Sequence, residues 1–325
     1  MQSLYDAIFF TSYHLTMALL APVQRDSLLY WPFLISSLAI TVIALAYWQR
    51  REKGLNPERF GTRRLWWHRS ARADYRLYFV NALVFPAVFG ALLFNQHDFA
   101  AWLDRLLGYS GHAGEATPIG WKLAYTLVFF VAYDFGRFVA HSMLHDIPVL
   151  WEFHKVHHSA EVLTPITAYR AHPVDLLVMA WGGTTAVGLA SWGFNHLAGA
   201  VVSAYLFLGL HVLVWISNLT GNLRHTPVWI TYGAVLGKWL ISPAHHQLHH
   251  SLESRHLGCN RGFDLAIWDR LYGTLYVPAG PEESFSIGLE DGRDWHTVRQ
   301  MLLGPFAGAA RIIIGRRPEN PSAQE

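Results

Sequence analysis

The chain has 325 residues, of which 52% are hydrophobic and 15% are charged, so it is not a disordered protein of low hydrophobicity and high charge. Its 25 Lys and Arg residues nearly balance 23 Asp and Glu residues, which leaves no basic excess for binding nucleic acid. The single cysteine, Cys259, excludes an internal disulfide and a multi-cysteine zinc or iron–sulfur site. The count of 19 histidines needs a physical reason.

Apolar blocks near the N-terminus predict membrane-spanning helices. Block 30–48 has no charged residue and is close to the roughly 20 residues that a helix needs to cross a bilayer. Block 77–95 is also uncharged, and Pro86 within it is tolerated because neighbouring membrane helices satisfy the backbone groups that a proline frees. Block 4–20 contains Asp6, so it is predicted either as a third span or as a helix in the interface.

Three further apolar blocks follow: 119–140, 176–194 and 197–216. Only Asn195 and His196 separate the last two, which therefore predict a hairpin of two membrane helices. Together the blocks predict an all-α fold, a polytopic membrane helical bundle of about four to five spans with a cytosolic cap of histidine-rich helices.

The distribution of basic residues predicts the orientation of these spans. Loop 49–76 contains nine Lys and Arg residues against three acids, whereas loop 96–118 contains one Arg and three acids. Since loops rich in Lys and Arg stay in the cytoplasm, the first loop is predicted to be cytoplasmic and the second is not. Counting the crossings from there places segments 141–175 and 217–290 on the same, cytoplasmic side.

The histidines are concentrated in two windows, 141–172 and 225–256, which hold twelve of the 19. Within the windows the spacings repeat as HSMLH, HKVHH and HQLHH. On a helix, residues three and four apart share a face, so each group can direct two or three imidazoles towards one point. Adjacent histidines diverge by about 100°, so one of each pair can serve one metal ion and its neighbour a second.

The eight imidazoles of these three groups are too many for one tetrahedral zinc ion, but they fit two metal ions of higher coordination number. A metalloprotease is disfavoured because the chain has no HExxH motif. Two iron ions leave positions open for dioxygen, whereas zinc has no redox chemistry. Carboxylates are expected to orient the imidazole rings, and the candidates are Asp134, Glu152, Asp175, Asp264 and Asp269.

Five stretches within residues 125–280 resemble the fatty acid hydroxylase superfamily, a membrane group that includes sterol desaturases and hydroxylases: HSMLH, WEFHKVHHS, TAYRAHP, SPAHHQLHHS and NRGFDLAIWDRLYGTLYVP. The resemblance implies an all-helical membrane protein with a cytosolic di-iron centre. Such a centre uses dioxygen and external electrons to hydroxylate or desaturate a lipid-like substrate. The metal ligands that it implies are His141, His145, His154, His157, His158, His246, His249 and His250.

The resemblance also predicts His225 as a ninth ligand, because relatives usually carry one or two more histidines before the last motif. Gly221 lies four residues earlier, so a second HxxxH motif is absent. Three other histidines are predicted either as ligands or as support for them: His172, His211 and His245. Aromatic side chains near the motifs are predicted to line the substrate path: Trp151, Tyr169, Trp239 and Trp268.

The predicted division of the chain is N-terminal membrane helices with the basic loop in 1–118, a fatty acid hydroxylase-like catalytic domain in 119–290, and an amphipathic segment with a disordered tail in 291–325. The predicted location is the bacterial inner membrane or the endoplasmic reticulum. The expected partners are a lipid-like substrate, the bilayer and a separate reductase or electron-transfer protein.

The sequence has no GxGxxG motif and no cysteine set for an iron–sulfur cluster, so electrons are expected from outside the chain, and the resemblance leaves a pterin open as their source. The alternative function is a metal- or haem-binding membrane protein without oxygenase activity, such as a transporter or electron carrier. A transporter would place its ligands near the middle of the membrane, whereas these histidines follow the ends of predicted spans.

Overall fold

The computed structural model describes residues 2–50, 63–109, 114–116, 118–280 and 282–315, so the predicted disordered tail from residue 316 lies outside the described residues. The chain is predominantly helical, as predicted. The helices are α1 Gln2–Leu19, α2 Trp31–Arg50, α3 Arg63–Trp66, α4 Arg69–Phe89, α5 Gln96–Leu107, α6 Ile119–Asp146, α7 Pro148–His158, α8 Pro173–Ala198, α9 Val212–Gly221, α10 Gly233–Leu236, α11 Pro243–His249, α12 Ile267–Tyr272 and α13 Val298–Ile313. Short 3-10 turns include Pro165–Tyr169 and Asn222–His225.

Three helical runs are long and apolar enough to cross a membrane: Arg69–Leu107, Ile119–Asp146 and Pro173–Ala198. A shorter apolar helix, Trp31–Tyr47, lies within α2. Large apolar side chains on the outer face of α2 are exposed, among them Ile35, Leu38 and Val42, and a lipid environment would cover them. These features indicate an integral membrane protein.

The second arm of the predicted hairpin, 197–216, is not a membrane helix, so that prediction is wrong. Helix α8 ends before Gly199, whose φ of 67° is a left-handed conformation that glycine adopts readily. The chain then forms β2 Val201–Val202, parallel to β1 Glu115–Ala116, and a hairpin of β3 Leu206–Phe207 with β4 Leu210–His211. Helix resumes only at α9, because glycine breaks interrupt a block that is apolar throughout.

Helices α6 and α8 approach each other closely at two glycines. A Cβ atom on Gly136 would lie 2.2 Å from the backbone oxygen of Gly182, and one on Gly182 would lie 2.5 Å from that of Gly136. Small residues permit such contacts between membrane helices. The contact sets the C-terminal part of α6, which carries two of the predicted ligands, beside the first turns of α8.

Helix α4 begins inside the predicted basic loop, and its Asp74 is fully buried. The Asp74 carboxylate pairs with the guanidinium of Arg170, whose Nη1 lies 2.6 Å from Oδ1. One core cluster joins Ala73 and Leu77 of α4 with Val156 of α7 and with Trp295 and Met301 near and in α13. The C-terminal helix therefore packs against α7, the helix that carries the motif HKVHH.

Candidate metal centre

Nine histidines come together in two groups, and they are the nine that sequence analysis predicts as ligands. The first group is His141, His145, His154, His158 and His249, and the second is His157, His225, His246 and His250. Within each group one ring nitrogen per residue lies within 4.8 Å of the others. All nine are buried except His145, which is partly exposed.

The helical spacing explains how neighbours in sequence reach different groups. His157 and His158 follow one another at the end of α7, and His249 and His250 follow one another at the end of α11. In both pairs one residue belongs to the first group and the other to the second. The groups adjoin, since the rings of His158 and His250 lie 4.7 Å apart between centroids. This arrangement is suited to a dinuclear centre.

Backbone and carboxylate acceptors fix the protonation of several rings. Nδ1 of His141 lies 2.7 Å from the carbonyl oxygen of Arg261, and Nδ1 of His154 lies 2.7 Å from a carboxylate oxygen of Asp175. Because these oxygens can only accept, each Nδ1 must carry the proton and donate it, which leaves a lone pair on Nε2. Nδ1 of His157 and of His249 donate in the same way to the carbonyls of Arg170 and Cys259.

In one pair the two Nε2 lone pairs then point at one another. Those of His141 and His154 are 3.0 Å apart, a repulsive contact unless a cation lies between them. With a metal–nitrogen bond of about 2.1 Å, two ligands at a right angle lie about 3.0 Å apart and two tetrahedral ligands about 3.4 Å. The other Nε2 separations are 3.0 Å for His225 and His246, 3.2 Å for His145 and His249, 3.2 Å for His246 and His250, and 3.3 Å for His157 and His225. The residues present therefore fit two metal ions, one beside five histidines and the other beside four.

Burial favours the neutral form, which metals bind, in six of these imidazoles. It lowers the pKa of His157 to about 4 and that of His249 to about 3. Burial also lowers the pKa values of four further members well below their usual range: His158, His225, His246 and His250. A metal ion therefore does not have to displace a proton at neutral pH.

Of the five candidate carboxylates, Asp175 contacts a grouped histidine directly. Asp269 acts one step away, because it accepts hydrogen bonds from the backbone N–H groups of Arg261 and Gly262, both at 2.7 Å. The remaining three have other partners. Asp134 accepts from two backbone N–H groups and the Trp268 indole, Asp264 pairs with Arg224, and Glu152 pairs with Lys155 and Arg293.

The three histidines whose role was left open lie outside both groups. Nδ1 of His172 accepts from the backbone N–H of Val174, which caps the start of α8. Nδ1 of His245 accepts from Ser242 at the start of α11, and its Nε2 donates to a backbone carbonyl. His211 stacks on Phe129 with ring centroids 4.5 Å apart. His172 and His245 thus support helices that carry site residues.

A cavity of about 460 Å³ opens onto both groups between α6 and α8, a typical size for a ligand pocket. Its walls include His141 and His157 together with apolar side chains such as Leu176, Met179 and Phe263.

None of the four aromatic residues predicted to line the substrate path lines this cavity. Trp268 donates to Asp134, Trp239 is exposed, and Tyr169 faces a neighbouring cavity between α1 and α4. Trp151 borders a separate opening of about 270 Å³ beside His145 and His158.

Sequence analysis missed Arg170 as a site residue, although it lies in the motif TAYRAHP. Its carbonyl orients His157, and its fully buried guanidinium bonds Asp74, Ser159 and the carbonyl of Trp295. The sequence did offer one indication of this role: Arg170 lies beside the histidine motifs in a chain that is poor in charged residues. An arginine buried at such a place must have hydrogen-bond or ion-pair partners.

Comparison with known proteins gives consistent matches. Residues 126–274 match the family model for fatty acid hydroxylase. The ornithine lipid hydroxylase OlsE of Rhizobium tropici is 32% identical over 213 residues, which is 64% of this chain and 59% of that protein. Alkylglycerol monooxygenase of Xenopus tropicalis is 27% identical, over 46% of this chain and 30% of the relative. A Delta(7)-sterol 5(6)-desaturase of Gibberella zeae is 30% identical, over 49% and 43%. The chain thus spans less than two thirds of the length of these relatives, and no solved structure gives a significant match.

Proposed function

We propose that the chain is a member of the fatty acid hydroxylase superfamily and a membrane-bound di-iron oxygenase, because residues 126–274 match that family model and the histidine geometry fits two metal ions. Its reaction would hydroxylate or desaturate a C–H bond of a lipid-like substrate with dioxygen and external electrons. The observation that carries the proposal is the pair of adjoining histidine groups at the end of an apolar cavity between two candidate membrane helices. The relatives named above, by their printed names, hydroxylate or desaturate lipids.

The nine grouped histidines would hold the two iron ions, which when bound would supply the reduction of dioxygen that imidazole and carboxylate groups cannot perform. The protein would orient the imidazole rings and enclose the substrate. Acceptors such as the Asp175 carboxylate turn the Nε2 atoms of four rings inward, and Leu176 and Met179 give the substrate an apolar cavity wall.

The two openings would serve different molecules, the cavity between α6 and α8 the lipid substrate and the opening beside Trp151 the electron donor. The apolar cavity between α6 and α8 suits a lipid that enters from the bilayer. The opening beside Trp151 reaches the first group from outside the helix bundle, where a separate electron donor would approach, either a reductase or a reduced pterin. We place this face in the cytoplasm, because the basic loop preceding α4 would stay there by the positive-inside rule.

The test is the metal content and absorption spectrum of the purified full chain. About two non-haem irons per chain are expected, whereas a Soret band, or zinc alone in an active preparation, would refute the proposal and favour the non-oxygenase alternative. His157→Ala and His249→Ala, one from each group, should each lower the iron content and abolish lipid oxidation while the protein remains inserted in the membrane. An exposed histidine on α5, His97, offers the matched control His97→Ala.

The substrate is found by comparing the lipids of cells with and without the gene. A mass change of about +16 on a lipid indicates hydroxylation and one of about −2 indicates desaturation. If no lipid changes while the chain retains its iron, the oxygenase proposal fails although the metal centre stands.

A further inference from the structure

Arg137 lies one helical turn before His141 on α6 and lines the same cavity. Its guanidinium carbon lies 3.8 Å from the centre of the Phe263 ring and 5.2 Å from that of Tyr133. The Phe263 ring in turn lies 5.3 Å from the ring of His141. The aromatic faces hold the cation in place, and because they contact the face of the guanidinium they leave its N–H donors unused.

The nearby carboxylates do not take up these donors. Nη1 of Arg137 lies 4.0 Å from Oδ2 of Asp264, which is beyond hydrogen-bond distance. Asp264 instead accepts from Arg224 at 2.5 Å and from Ser217, and Asp134 accepts from three other N–H groups. Within the described part of the chain, Arg137 therefore has one distant ion pair and no hydrogen bond.

The cavity lining as a whole is short of negative charge. Two arginines, Arg137 and Arg224, line it, and the acid in the lining, Asp175, is occupied by His154. A cation that makes no hydrogen bond in an apolar membrane helix is costly, and such residues usually face a ligand or a water-filled space. A side chain that is 22% exposed and lines the cavity can reach a bound molecule.

We propose that Arg137 binds a carboxylate of the lipid substrate and that the carbon oxidised lies only a few bonds from this group. A planar guanidinium with free donors matches one carboxylate in both geometry and charge. Because Arg137 is one turn, about 5.4 Å, from His141, a lipid held there presents the carbons next to its headgroup to the metal centre. The assignment rests on the proposed function and narrows its substrate to acidic lipids.

The length of α6 allows Arg137 to lie at the depth of the lipid headgroups. Helix α6 has 28 residues and is about 42 Å long, whereas the hydrocarbon core is roughly 30 Å thick. The end of α6 that carries Arg137 and His141 can therefore reach the polar boundary of the bilayer, where a lipid carboxylate lies.

The test measures binding of two probes of nearly equal size and shape, N-dodecanoylglycine with a charged carboxylate and N-dodecanoylglycinamide with a neutral amide. The iron-loaded full chain is titrated with each probe in a nonionic detergent without reductant, so that no turnover is needed. Wild type should bind the carboxylate about 10-fold to 100-fold more tightly, the range expected for hydrogen bonds to a charged group. Arg137→Gln should abolish this preference and leave the affinity for the amide unchanged, and Arg137→Lys should retain part of it.

Arg105→Gln is the matched control, since Arg105 is exposed at the end of α5, outside the cavity lining, and this variant should keep the full preference. Iron content and elution volume equal to wild type show that Arg137→Gln folds. Equal binding of both probes to wild type, or a preference that persists in Arg137→Gln, would overturn the assignment. If the preference is present but no lipid is ever oxidised, the carboxylate site stands and the oxygenase proposal fails. Where oxidation occurs, a product modified near the far end of the acyl chain would overturn the positional part.

Discussion

Asp175 provides the sharpest test of how imidazole orientation governs metal retention. Its Oδ2 accepts a hydrogen bond of 2.7 Å from Nδ1 of His154, and both side chains are nearly fully buried. Asp175→Asn keeps the volume and an acceptor oxygen but removes the charge. Asp175→Ala removes the acceptor as well, so the Nδ1 proton is left buried without a partner.

The expected losses of metal affinity follow from the strength of the hydrogen bond between His154 and Asp175. A hydrogen bond to a charged group contributes about 1.5–3 kcal/mol and one between neutral groups about 0.5–1.5 kcal/mol. The Asn variant should therefore lose about 1 kcal/mol, which is roughly a fivefold weaker metal affinity of the first histidine group. The Ala variant should lose the whole contribution, so its metal affinity should fall about 10-fold to 100-fold. This is the range found when the hydrogen-bond partners of metal ligands are removed.

The assay is iron per chain after equilibration of the purified protein with increasing chelator. Asp104→Asn is the matched control, because Asp104 accepts a 3.0 Å bond from Nε2 of His196, a histidine outside both groups. This control should release iron as wild type does. If Asp175→Ala retains iron like wild type, or if Asp104→Asn loses as much, the orientation argument is wrong. Unfolding temperatures of the iron-free variants separate metal affinity from stability, since Asp175 also lies in the first turn of α8.

Three further outcomes test the scaffold around the centre. Gly182→Ala would place a Cβ atom 2.6 Å from that of Ala140, so it should force α6 and α8 apart, lower the unfolding temperature in detergent and release iron; an unchanged melting curve would contradict the close approach. Asp74→Ala leaves the buried Arg170 charge unpaired and should destabilise the protein by about 3–5 kcal/mol in denaturant titration, whereas a loss below about 1 kcal/mol would show that water reaches the guanidinium. Burial raises the pKa of the Cys259 thiol to about 12, so at about pH 8 the thiol stays protonated and maleimide should label it only after denaturation; rapid labelling of the folded protein would show that the thiol is accessible.

Apolarity predicted the long helices well, because the cost of unpaired backbone groups in lipid leaves little alternative to a helix. It failed in one informative place. The block 197–216 is apolar throughout, yet Gly199 and the turn near Gly209 divide it into short strands and a short helix. Helix α6 continues six residues beyond the apolar block 119–140 and carries the motif HSMLH, whose spacing also predicted a helix.

Spacing predicted that each of the three histidine motifs directs its imidazoles to one face of a helix, because helical geometry alone decides which residues of a motif share a face. His225 has no such spacing and was predicted from the family resemblance alone. Sequence spacing does not predict the hydrogen-bond acceptors that orient these rings. Three of them are backbone carbonyls, of Arg170, Cys259 and Arg261, and every residue in the chain has a carbonyl. Arg137 was visible only as a charge in an apolar block, and its role depends on Phe263, more than a hundred residues away in the chain.

The segment NRGFDLAIWD contains none of the nine grouped histidines and yet orients one of them. Asp269 fixes the backbone N–H of Arg261, and the carbonyl of Arg261 accepts the Nδ1 proton of His141. Asn260, in a left-handed conformation with φ of 53°, donates to the carbonyl of His245 and accepts from the backbone of Tyr276. This segment therefore determines which nitrogen of His141 faces the first histidine group, because its fold brings an acceptor to the opposite side of the ring.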